Sequence, residues 1–157
     1  MKVLKIAGGS WIVLMLLLGA CRSDGLYDQS MPIDGRWWKN NAEQFEVSVQ
    51  DSLQLYDFYL NVRHNTSYRY SNLYLFLQTR FPNGNISRDT IEIVLANAEG
   101  KWLGKGWGDV REDHVLLRKQ LRFPLKGRYV FSIWQAMRQD TLYGIQDVGI
   151  QIVPVDK

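Results

Sequence analysis

An all-β chain, folded as a single antiparallel β-sandwich domain of about seven or eight strands, is what this sequence predicts. Three observations lead there. Apolar residues recur at period two through most of the chain, clusters of Gly, Pro and Asn separate these runs, and no long helical face is present. The composition, 46% apolar and 22% charged, is that of an ordinary globular protein.

The first segment stands apart from this pattern. In MKVLKIAGGSWIVLMLLLGAC, Lys2 and Lys5 form a basic start, Trp11 to Leu18 an apolar run, and Gly19-Ala20 the small residues before a cleavage point. The run is shorter than the roughly 20 residues of a spanning helix. Leu18-Gly19-Ala20-Cys21 fits the bacterial lipobox, which makes Cys21 the lipidation site. It is the only cysteine in the chain, and a free thiol in an oxidising compartment is a liability that acylation removes. Stable anchoring needs more than one acyl chain, which a lipoprotein supplies. The expected organisation is a lipoprotein signal peptide over 1–20, a lipidated N-terminus and tether over 21–36, and the sandwich over 37–157.

The strands follow in order. Phe45, Val47 and Val49 alternate with polar neighbours, as do Phe58, Leu60 and Val62, and then Leu73, Leu75, Leu77, Thr79 and Phe81. Asn83-Gly84 supplies a hairpin turn before Ile91, Ile93 and Leu95. Val115, Leu117, Lys119, Leu121 and Phe123 fit a strand better than the helical face that Leu117 and Leu121 also allow. Pro124 and Gly127 turn the chain into Tyr129, Phe131, Ile133 and Gln135, and Val148, Ile150 and Ile152 close it. A mature chain of this length buries roughly two-thirds of its unfolded surface, so no disulfide is required.

Several function classes are disfavoured by composition. Without Lys2 and Lys5, the 19 Lys and Arg residues fall to 17 against 16 acids, with no basic block, so nucleic acid is not an expected partner. The segment GKWLGKGWGD resembles a phosphate loop, yet only three residues separate Gly100 from Gly104-Lys105, and Gly106 stands where a Walker motif requires Ser or Thr. His64 and His114 are far apart, neither shows a recognisable partner, and no zinc spacing exists, so neither metal nor cofactor is expected. A carboxylate pair built from Asp109 with Glu112 or Asp113 is the one glycosidase-like arrangement the sequence offers, and a solvated loop is the commoner role for such residues. The sequons at Asn65 and Asn85 are discounted because the lipobox points to a bacterium.

What remains is aromatic surface. Trp37-Trp38 and Trp102/Trp107 are expected in loops or near strand ends, with Trp102 packing inward and Trp107 presented outward. Trp102, Lys105, Trp107 and Asp109 are the candidate partner-binding residues, in a loop whose glycines let the backbone turn sharply or bulge. A surface glycan-binding lipoprotein using the same tryptophans and nearby tyrosines is the alternative.

The lipobox, the WW pair, YSNLYLF, RDTIEIVLAN, GKWLGKGWGD, RFPLKGRYVFSIWQAMRQD and GIQDVGIQI together resemble the GldH family of gliding-motility lipoproteins of Bacteroidetes, over essentially the whole mature chain. That resemblance implies a lipid-anchored envelope protein without known enzymatic activity, needed for gliding in species that glide. It further implies partners among other envelope proteins of an apparatus tied to type IX secretion. Only Cys21 carries over as a defined site. Arg22, Ser23 and a lone Asp24 lack the dense acidic cluster of surface-exported lipoproteins, so a periplasm-facing position is expected.

Overall fold

In the computed structural model the structure describes residues 25–155. The expected lipidation site Cys21 and the signal segment lie outside them. The described chain is all-β, with ten strands: β1 Tyr27–Pro32, β2 Arg36–Trp38, β3 Glu43–Val49, β4 Leu55–Asn65, β5 Asn72–Arg80, β6 Ile86–Val94, β7 Val110–Arg122, β8 Gly127–Gln135, β9 Thr141–Tyr143 and β10 Ile145–Pro154. Two four-stranded antiparallel sheets, β1-β10-β4-β7 and β3-β8-β5-β6, form the sandwich, and β2-β9 is a separate two-stranded ribbon. The expected sandwich is therefore present, with the ribbon added at one end.

Alternation sets which side chains face the core. Along β4, Tyr56, Phe58, Leu60, Val62 and His64 are buried while their neighbours are half-buried or exposed. They meet Phe45, Leu73, Leu75, Tyr129, Phe131 and Ile133 of the facing sheet in one continuous core. The segment 110–122 is a single strand, so the strand reading of its second half holds and extends back to Val110.

Tyr27–Pro32, inside the stretch expected as a tether, pairs residue by residue with β10 from Tyr27↔Ile152 to Pro32↔Asp147. Its sequence shows no apolar alternation because an edge strand needs few buried side chains. Only Tyr27 and Met31 pack against the core. Trp37 and Trp38 lie within β2, and strand parity sends them opposite ways: Trp37 is 1% exposed and Trp38 54%.

Two turns show local chemistry at work. The β5–β6 connection spans residues 81–85, closed by the Phe81 N–H donating to the Asn85 carbonyl at 2.8 Å. Gly84 alone takes a positive φ, 86°, as longer hairpin loops require, rather than both residues of a two-residue turn. Between β7 and β8 the Tyr129 hydroxyl donates to the Leu125 carbonyl at 2.9 Å and accepts from its N–H at 3.0 Å, so one buried phenol pins the turn.

The registers also define two poles. The chain enters beside Ile152, where the Leu26 N–H bonds its carbonyl at 2.8 Å. The opposite pole holds the ends of β4 and β7, where Asn65 pairs with Val110, together with the ribbon and the 95–109 connection.

Candidate docking site

The 95–109 connection is built as two short hairpins. The first is closed by a backbone bridge between Ala96 and Trp102, with the Asn97 side chain accepting from the Lys101 N–H at 2.8 Å. The second pairs Lys105 with Glu112 through both backbone bonds, 2.9 and 2.7 Å, and so adds a short segment to the edge of β7. Its tip is Trp107-Gly108, where Arg111 donates to the Gly108 and Val110 carbonyls at 2.9 and 2.7 Å. The Asp109 carbonyl accepts from the Thr66 N–H at 2.6 Å, which ties the tip to the β4–β5 loop.

Close approach dictates the glycines at the base of this hairpin. A Cβ on Gly104 would lie 2.6 Å from Asp113 Oδ2 and 2.8 Å from the Glu112 carbonyl oxygen. One on Gly106 would collide with the Val110 carbonyl. The expectation of a sharply turning loop is thus met, with Gly100 and Gly108 serving through positive φ.

Beneath the loop lies a buried pair that the sequence did not reveal. His64 Nε2 is 3.3 Å from Asp113 Oδ2, with the side chains 0% and 7% exposed. The geometry is off the line of a hydrogen bond, and the two atoms have no other partner. His64 Nδ1 lies 3.0 Å from the Asn65 carbonyl oxygen, and the Trp102 ring covers the imidazole at a centroid distance of 4.6 Å. The Tyr68 ring packs at 5.8 Å, and its hydroxyl donates to the Asn72 carbonyl at 3.0 Å. Burial, and secondarily the neighbouring Tyr70, pushes the Tyr68 phenol well up from its ordinary 10.0. His114, on the outer face, meets Asn61 Oδ1 at 2.6 Å and stacks on Tyr59 at 4.3 Å. Both histidines therefore have polar neighbours, on adjacent strands, that spacing along the chain does not show. Continuing the inward series Phe58, Leu60, Val62 by one step would have found His64.

The candidate residues divide by role. Trp102 is half-buried against His64, while Lys105 and Asp109 are exposed and Trp107 is 97% exposed. Leu103, Trp38 and Tyr143 are exposed at the same pole, at 55%, 54% and 64%. Trp102 and Trp107 consequently do not share one stacking face. Of the two acids expected to pair with Asp109, Asp113 faces the core while Glu112, its neighbour in β7, points to solvent, so only Glu112 shares the exposure of Asp109. They belong to a strand and not to the solvated loop expected. Among the described residues no three His, Cys, Asp or Glu side chains converge as a metal site would require.

Residues 25–152 match the family model described as GldH lipoprotein. Among curated proteins, a gliding motility lipoprotein GldH homolog of Christiangramia forsetii is 37% identical, over 93% of this chain and 94% of its own length. Gliding motility lipoprotein GldH of Flavobacterium johnsoniae is 30% identical, over 94% and 96%. Among solved structures, the TmCBM61 complex with β-1,4-galactotriose aligns over 80% of this chain and 69% of its own, at 12% identity and a TM-score of 0.29.

Proposed function

Because the chain belongs to the GldH lipoprotein family, we propose that it is a lipid-anchored, non-enzymatic interaction module of the gliding machinery, acting with envelope partners of type IX secretion. Acylated Cys21 holds it to the membrane, facing the periplasm. The docking surface is the 103–109 hairpin with Trp107 at its tip.

The observation that carries this reading is the 97% exposure of Trp107 on a loop braced from both sides. An indole left in water at the tip of a fixed hairpin has a large apolar surface to gain from a partner and little conformational entropy left to lose. Lys105 and Asp109 flank it with opposite charges, which suits orientation more than affinity. The hairpin also lies at the pole remote from Leu26, so an anchor attached through the N-terminus leaves it facing away from its own membrane.

The test is complementation of a Flavobacterium johnsoniae strain lacking its own relative. Trp107→Ala should be lipidated and accumulate normally yet fail to restore gliding. Full gliding by this variant would remove the hairpin from the docking role.

A further inference from the structure

Chain length fixes which end of the sandwich meets the membrane. Only Arg22, Ser23 and Asp24 lie between Cys21 and Gly25, the first described residue. Extended chain advances at most about 3.6 Å per residue, so Gly25 stands within roughly 14 Å of an acylated Cys21 whatever path the chain takes. The Leu26 N–H bonds the Ile152 carbonyl at 2.8 Å, and the pole holding this entry point is therefore the one brought to the lipid surface.

Three connections share that pole: 50–54 between β3 and β4, 81–85 between β5 and β6, and 123–126 between β7 and β8. They are braced. Gln54 Nε2 donates to the Leu55 and Val155 carbonyls at 2.9 and 3.0 Å, and a Cβ on Gly127 would lie 3.0 Å from Pro82, which brings the second and third connections together. Each turns an apolar side chain to solvent. Leu53 is 75% exposed at the first, Pro82 and the adjoining Ile86 are exposed at the second, and Pro124 is exposed at the third.

Exposed cations gather around these tips. Arg80, Arg118, Lys119, Arg122, Lys126 and Arg128 lie at this pole, against Glu46, Asp51 and Asp57. Glu46 pairs with Arg128 at 3.4 Å, and Asp57 Oδ1 accepts the Gln120 N–H at 2.9 Å. Next along β6, Arg88 and Asp89 cancel. Arg118 and Arg122 also edge a cleft between the outer strands β6 and β7, whose other rim carries Asp89 and Glu92. A positive excess remains at the pole, whereas elsewhere among the described residues the acids outnumber Lys and Arg.

We propose that this pole is a membrane-seating face: Arg80, Lys119, Arg122 and Lys126 meet the phosphates of anionic phospholipid in the leaflet that holds the Cys21 acyl chains, while Leu53 enters the headgroup layer. The inference rests on the lipid-anchored reading of Cys21 and does not involve Trp107. Tether length and charge select the occupant. The anchor keeps the cations near the phosphates, within the reach of an attraction that salt screens over about 8 Å. Basic side chains at an anionic leaflet then add to the hold of the acyl chains. A soluble acidic partner would have to displace a surface already held there. Seating also gives the domain one orientation, with the remote pole turned outward, where the acyl chains alone would let it tumble.

The experiment places the full lipidated chain in nanodiscs of phosphatidylcholine alone, or of phosphatidylcholine and phosphatidylglycerol in equal parts, with a fluorophore attached through Leu53→Cys. Acrylamide should quench it about threefold less in the anionic discs. Molar salt, or Lys119→Glu with Lys126→Glu, should remove the difference. A fluorophore attached through Lys101→Cys, at the opposite pole, should be quenched equally in both. Mass spectrometry of the same samples reads the anchor separately: a chain without acyl groups would overturn the anchored reading and the seating with it. An acylated chain whose position 53 is quenched equally in both discs would overturn the seating alone. Protection that appears only when each disc carries two copies of the chain would also overturn it, by assigning this face to a second copy.

Discussion

His64 Nε2 and Asp113 Oδ2 lie 3.3 Å apart under the Trp102 ring, on adjacent strands of one sheet and at the base of the exposed hairpin. The pair connects the core to the candidate docking loop, because Asp113 is also the group that Gly104 is packed against. Asp113→Ala should therefore remove the side chain packed between Gly104 and the imidazole and lower stability by about 2 kcal/mol. Urea denaturation measures the loss. Amide exchange should show the 105–112 hairpin loosening before the rest of the sheet.

Gly104→Ala tests the same contact from the other side. A methyl group would sit 2.6 Å from Asp113 Oδ2 and 2.8 Å from a backbone carbonyl, and backbone cannot move aside as a flexible side chain can. A cost of about 1–3 kcal/mol is expected, read from the denaturation midpoint. An unchanged midpoint would mean that the hairpin does not pack as closely as described.

Tyr129→Phe removes the hydroxyl that accepts from and donates to Leu125 while keeping the ring in the core. A loss of about 1 kcal/mol is expected. Ring packing against Phe123, at a centroid distance of 4.9 Å, should survive, so near-ultraviolet circular dichroism should be little changed.

Alkaline pH should weaken the fold through Tyr68. Its phenol is raised above the ordinary 10.0, first by burial and then by Tyr70, so the folded state favours the neutral form. The stability this contributes is fully present below the unfolded value near 10.0 and is lost as pH climbs from there toward the raised folded value. Stability measured from neutral pH upward should be flat with respect to this group and then fall. Tyr68→Phe should reduce the fall.

Cys21→Ser should abolish incorporation of radiolabelled palmitate and leave the signal segment uncleaved. Labelled, cleaved protein from this variant would show that the lipid is attached elsewhere.

Much of the fold was legible because burial in a two-layer sandwich imposes period two on every central strand. Phe58-Leu60-Val62 and Leu73-Leu75-Leu77 could be assigned to the core from spacing alone, and both series are buried. β1 was not legible, since Tyr27–Pro32 is an edge strand whose order comes from backbone pairing with β10, and backbone groups are the same in every residue. The ribbon strands β2 and β9 are too short for any period to show.

The sequence by itself determined the all-β class, most strand positions and the turning nature of Gly100–Asp109. All of these are local patterns in which each residue's type and its near neighbours carry the information. Tertiary structure alone decided that His64 meets Asp113, that the ring Trp102 packs against is the His64 imidazole, and that β6 and β7 leave an open seam. Those relationships depend on which strands become neighbours and in what register. Long-range pairing sets both, and it leaves no mark on the spacing of residues along the chain.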